Sequence, residues 1–202
     1  MSAASEESLL DLHRAAGLLG AYCAIERALF ELTGALAGTA DLDDPDVLVF
    51  LDGLSGEHAW HAELWAERLP VLSDIDSRTL IAVPEPAGRA LADLRSRSPI
   101  AQIAGLVRVV LPRLISSYTR HEAAASPAAE GPTLRALRLV LRDETEAWVA
   151  GEGHLERLLG TAEAVRGAVE VASALEIGLA EAAQTRGLVP WPGSKGLTAP
   201  VN

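Results

Sequence analysis

Polar residues occur at positions of the predicted helices where a hydrophobic core would be expected to hold none. They are Glu26, His58, His61, His121 and Glu144. A lone carboxylate in a core is costly, so such groups are usually protonated, paired or bound to a metal. Carboxylates and imidazoles on facing helices can satisfy one another around a cation, and this donor set suits iron, manganese or zinc. The pattern therefore predicts that these residues converge in one bundle interior as ligands of a metal ion.

The charge of this set favours one ion over a pair. Glu26 and Glu144 supply about two negative charges, whereas neutral histidines supply none. One divalent cation would balance this charge, and imidazole would provide most of the ligands.

Aromatic side chains share helical faces with these polar residues, because they lie three or four positions away along the chain. They are Tyr22, Phe30, Tyr118 and Trp148. We expect them to line an apolar pocket beside the polar centre, where a small-molecule ligand could bind.

Helical periodicity accounts for most of the chain, with proline, glycine and capping residues at the predicted ends. The predicted helices span residues 5–37, 45–69, 99 to just before 127, 132–160 and 162–186. Residues 71–97 form a long connection with a short helical stretch at 90–95, and Pro112 should kink the third long helix. We expect one helical-bundle domain over residues 1–187 and an extended C-terminal arm over 188–202.

Composition excludes several classes of protein. The formal net charge of −11 would repel nucleic acid. Charged residues interrupt every long apolar run within about 18 residues, which argues against a membrane span. The N-terminus lacks the features of a secretion signal, and the single cysteine, Cys23, cannot form an intramolecular disulfide. We therefore expect a soluble, cytoplasmic protein.

The helix order and the inward polar residues resemble the ferritin-like superfamily over about residues 5–160. That family places Glu on the first helix, Glu-x-x-His on the second, Glu on the third and Glu-x-x-His on the fourth. Glu26 matches the first position and His61 matches the histidine of the second helix. His58 stands where the second helix usually has Glu, and Ala147 stands where the histidine after Glu144 belongs. The resemblance implies an antiparallel four-helix bundle with a long crossover between helices 2 and 3, plus a fifth helix here.

Two functions remain open from the sequence. In the first, a non-haem metal centre activates oxygen or peroxide beside the aromatic pocket, as an oxidoreductase would. In the second, the bundle is metal-free and degenerate, its Glu and His residues pair with one another, and it binds a small molecule or acts as a dimeric structural module. Ala147 favours the second function. In either case apolar residues such as Leu188, Val189 and Trp191 predict a homodimer.

Overall fold

The computed structural model describes residues 12–39 and 41–183, and this part of the chain contains helices and connections but no strand. The helices are α1 (Leu12–Ala37), α2 (Pro45–Arg68), α3 (Glu85–Arg95), α4 (Pro99–Gly105), α5 (Leu111–Ala124), α6 (Gly131–Leu158) and α7 (Ala162–Ala183). The expected all-α class is confirmed. The predicted start of the first helix, the predicted end of the last helix and the C-terminal arm lie outside the described residues.

Local sequence signals set the bounds of α2. The Asp44 side chain accepts hydrogen bonds from the backbone N–H groups of Asp46 and Val47, at 3.1 and 3.2 Å, and Pro45 occupies the first helical position. This cap satisfies backbone donors that the first turn leaves without partners. At the other end, α2 stops at Arg68, two residues before Pro70.

The third long helix is continuous from α4 to α5 through a π-helical turn at Leu106–Val110. The N–H of Leu111 bonds the carbonyl of Leu106, five residues back. A proline ring at position 112 would clash with the carbonyl four residues before it in a regular α-helix. The wider turn just before Pro112 is consistent with relief of that clash, so the expected irregularity takes the form of a π turn.

By length and hydropathy alone, the continuous helix Pro99–Ala124 could cross a membrane, but 61% of its most apolar window is buried inside the protein. The core helix of a soluble bundle has the same properties, so this helix is weak evidence for a membrane.

The helices pack so that α6 contacts both α2 and α5, while α1 lies along α2. On the other side, α7 packs against α3 and α4. The core contains several large side chains that are almost fully buried: Leu29, Leu51, Trp65, Leu114, Tyr118, Leu137 and Leu155. Four of these helices, α1, α2, α5 and α6, carry the five candidate ligands.

The connection between α2 and α4 is more ordered than the sequence indicated. A 3₁₀ turn at Ser77–Leu80 packs against α1, and α3 begins at Glu85, five residues before the predicted helical stretch. Pro86 fits the first turn of α3, and the buried residues of that helix include Leu91 and Leu94, which give it an apolar face.

Candidate metal centre

Four of the predicted polar residues meet inside the bundle. Glu26 lies on α1, His58 and His61 lie on adjacent turns of α2, and Glu144 lies on α6. Each of the four is at most 1% exposed. One potential ligand atom from each residue lies within 4.8 Å of those of the other three, so the group could hold a metal ion. We call Glu26, His58, His61 and Glu144 the Glu–His centre.

The Nδ1 atoms of both histidines face the two carboxylates. His58 Nδ1 lies 2.6 Å from Glu26 Oε2 and 3.4 Å from Glu144 Oε1. His61 Nδ1 lies 3.3 Å from Glu144 Oε1 and 3.7 Å from Glu26 Oε2. Two imidazole nitrogens and two carboxylate oxygens therefore form a compact donor set.

Residues outside this set hold two of its members in place. The Tyr118 hydroxyl donates a hydrogen bond to Glu26 Oε1, the oxygen that does not face His58, at 2.5 Å. The Nε2 atom of His61 lies 3.5 Å from Asp143 Oδ2, on the side of the ring away from the centre. Carboxylates that bond the outer nitrogen of a histidine commonly orient that histidine toward a metal. The two contacts are thus of the kind that supports metal ligands.

Two buried atoms of the centre have no hydrogen-bond partner among the described residues. They are Nε2 of His58 and Oε2 of Glu144. Buried polar atoms are normally bonded, and an unmatched one often indicates an unplaced water or ion. The centre is therefore not fully satisfied by its own side chains.

The charges within the centre shift its pKa values strongly. Burial alone would raise the pKa of Glu26, but hydrogen bonds and charge from His58 and His61 lower it to about 2. Burial alone would lower the pKa of both histidines, but the carboxylates of Glu144 and Glu26 raise the pKa of His58 to about 9 and that of His61 to about 10. Without a metal, ionised Glu26 is thus held between two imidazolium groups at neutral pH.

His121, the fifth expected ligand, is buried on α5 but lies outside the centre. Its Nε2 atom lies 3.6 Å from Glu130 Oε1, and its ring centroid is 5.7 Å from that of Tyr22. Burial lowers the pKa of His121 against the opposing effect of Glu130. Because Tyr118, about one turn earlier, bonds Glu26, α5 contributes a phenol to the surroundings of the centre and not an imidazole.

Only two of the four predicted pocket residues lie together beside the centre. The rings of Tyr22 and Tyr118 are T-shaped, with centroids 4.7 Å apart, and Trp65 packs against both at 5.4 and 5.3 Å. Phe30 is 44% exposed and Trp148 is 37% exposed, so both lie at the outer edges of their helix faces. We call Tyr22, Trp65 and Tyr118 the aromatic cluster.

The structure adds two residues that the sequence did not single out for the site. Trp65 belongs to the apolar stripe of α2 that carries His58 and His61, so helical spacing could have placed it in the aromatic cluster. Asp143 precedes Glu144, and residues next to each other in a helix do not share a face. Its contact with the outer side of His61 depends on how α2 and α6 pack.

Comparisons of the chain with models of protein families, with curated proteins and with solved structures found no match. The feature of the chain that indicates a function is the Glu–His centre, a buried group of four residues that could hold a metal ion.

Proposed function

We propose that this chain is a ferritin-like helical-bundle protein that binds one divalent cation through Glu26, His58, His61 and Glu144. The observation that carries the proposal is the convergence of these buried side chains, with their ligand atoms within 4.8 Å of one another. Inward Glu and His residues on facing helices are how helical bundles build metal sites.

The charge of the donor set supports one divalent ion. Two carboxylates and two neutral imidazoles carry two negative charges, which a divalent cation neutralises. Without a metal, protons on His58 and His61 provide the same compensation, in keeping with their raised pKa values. A cation would thus replace two protons at constant net charge, so this buried site can be charge-balanced in both states.

Mixed carboxylate and imidazole ligands suit iron, manganese or zinc. Bound iron or manganese would supply one-electron chemistry toward oxygen or peroxide, which makes an oxidoreductase the enzyme class we favour. The protein's part is to hold the ligands, to exclude water from a centre that is at most 1% exposed, and to fix the Glu26 carboxylate through Tyr118. We further propose a cytoplasmic homodimer.

A second function is favoured by one specific contact. The 2.6 Å hydrogen bond between His58 Nδ1 and Glu26 Oε2 pairs these two side chains directly, without a metal between them. In that case the chain is a metal-free, degenerate bundle that binds a small molecule or serves as a dimeric structural module.

Titration of the metal-free protein with Fe²⁺, Mn²⁺ and Zn²⁺ distinguishes the two functions. The metal-binding function predicts one cation per chain for at least one of these metals. Binding should be lost in the His58→Ala/His61→Ala double variant and kept in a His13→Ala/His154→Ala control, which removes two histidines outside the centre. No uptake of any of the three metals by the unmodified chain would favour the metal-free function.

A further inference from the structure

The Glu–His centre is separated from solvent, so a cation needs a route to it. All four residues are at most 1% exposed, and Tyr118, which bonds Glu26, is fully buried. Asp143 differs, because its side chain is 16% exposed and its Oδ2 lies 3.5 Å from His61 Nε2. Asp143 therefore connects the centre with the protein surface.

His61 lies between Asp143 and the inner carboxylates of the centre. Its Nε2 atom faces Asp143, while its Nδ1 atom faces Oε1 of Glu144 at 3.3 Å. A cation held by the Asp143 carboxylate would be separated from the inner carboxylates by the width of one imidazole ring. Among the described residues, the other ion pairs of the centre join only its own buried side chains.

The second oxygen of Asp143 is paired with a cation that can move away. The Arg142 guanidinium lies 3.3 Å from Asp143 Oδ1 and 3.7 Å from Oε1 of Glu146, one turn further along α6. Its side chain is 68% exposed, so its ion pairs are of the weak, solvent-screened type. An incoming cation could therefore displace Arg142 from Asp143 at little cost, and Arg142 would keep its ion pair with Glu146.

A second carboxylate adds negative charge on the α2 side. Glu57 lies four residues before His61, so the two side chains share a face of α2. Glu57 is exposed on α2, whereas His61 is buried. The negative potential thus extends from the surface of α2 and α6 toward the centre.

We propose that Asp143 is the capture site through which hydrated divalent cations reach the Glu–His centre, with His61 as the inner step and Arg142 as a competing cation. This inference rests on the proposed metal-binding function and extends it to a path of uptake. Electrostatic steering at such a site raises the association rate more than the final affinity.

Stopped-flow mixing of the metal-free full chain with Co²⁺ tests this path, with the visible absorption of bound Co²⁺ as the signal. At low ionic strength we expect Asp143→Asn to slow association by about fivefold or more, and added salt should shrink the difference. Arg142→Gln should accelerate association, because it removes the competing charge while leaving the Asp143 carboxylate in place. Glu156→Gln makes the same change of charge as Asp143→Asn at an exposed position of α6, and it should leave the rate unchanged.

The outcomes separate this inference from the function on which it rests. Equal association rates in the unmodified chain and in both the Asp143 and Arg142 variants would overturn the capture site alone. Unchanged association with faster release in Asp143→Asn would also overturn it, because Asp143 would then only orient His61. If the unmodified chain takes up no Co²⁺, Fe²⁺, Mn²⁺ or Zn²⁺, the metal-binding function itself fails.

Discussion

Replacing the Glu26 carboxylate with an amide should destabilise the metal-free protein far more than an ordinary loss of surface charge. In Glu26→Gln the side chain keeps its shape but loses the charge that faces two imidazolium groups. The pKa of about 2, against an ordinary value of 4.5, corresponds to about 3 kcal/mol of stabilisation at neutral pH. The raised pKa values of His58 and His61 arise from the same interactions, so they add no separate stabilisation.

The pH dependence of this loss follows from the direction of each shift. The Glu26 pKa is lowered on folding, so its contribution is present above pH 4.5 and is lost as the pH falls toward 2. The histidine pKa values are raised, so their contribution is complete below about pH 6.5 and is lost as the pH rises through about 9 to 10. The difference between the unmodified chain and Glu26→Gln should therefore be largest between about pH 4.5 and 6.5, and should shrink on both sides.

Urea unfolding followed by circular dichroism at 222 nm, in a chelator and over a range of pH, measures this difference. Glu31→Gln is a matched control, because Glu31 also lies on α1 but makes an exposed ion pair with Arg95 at 3.1 Å. The free energy of unfolding of Glu31→Gln should fall by less than about 1 kcal/mol. A loss in Glu26→Gln no larger than in Glu31→Gln, or a loss that does not vary with pH, would refute the account of a buried charged centre.

Three other predictions concern packing, the surroundings of the centre and assembly. A Cβ at residue 20 would overlap the backbone of Leu80, whereas a Cβ at residue 17 meets no described atom within 4 Å. In urea unfolding, Gly20→Ala should therefore cost about 2 kcal/mol of stability, and Gly17→Ala should be neutral or stabilising by up to about 1 kcal/mol. Equal stabilities of these two variants would contradict the close packing of the 3₁₀ turn on α1. Tyr118→Phe removes the hydroxyl that bonds Glu26, so calorimetry should show metal affinity reduced by about 10- to 100-fold, and an unchanged affinity would mean that the hydroxyl plays no part in holding the ligand. Light scattering at micromolar concentration should give the mass of a dimer, and a monomer mass would contradict the proposed assembly.

Helical spacing was sufficient to predict the long helices and most of the centre. Glu26 and Glu144 lie on the same helix faces as core residues, so burial of those faces necessarily turns the carboxylates inward. The same reasoning placed His58 and His61 inside, because they follow the apolar stripe of α2 that ends in Trp65.

Spacing could not predict the position of a residue along the bundle axis. His121 has the expected direction and is buried, but it lies about one turn beyond Tyr118, and one turn advances a helix by about 5.4 Å. That advance is enough to place His121 outside the Glu–His centre. Phe30 and Trp148 illustrate a second limit, because residues at the edge of an apolar stripe are covered only if a neighbouring helix reaches them.

Anomalous diffraction from crystals of the protein loaded with iron, manganese or zinc would test the metal-binding claim most directly. We predict one strong peak per chain at the absorption edge of the bound metal, about 2.0–2.2 Å from the Nδ1 atoms of His58 and His61 and from oxygens of Glu26 and Glu144. The present 2.6 Å contact between His58 and Glu26 would then open to admit the ion. A centre without a peak after exposure to each of the three metals, with that contact intact, would contradict the claim.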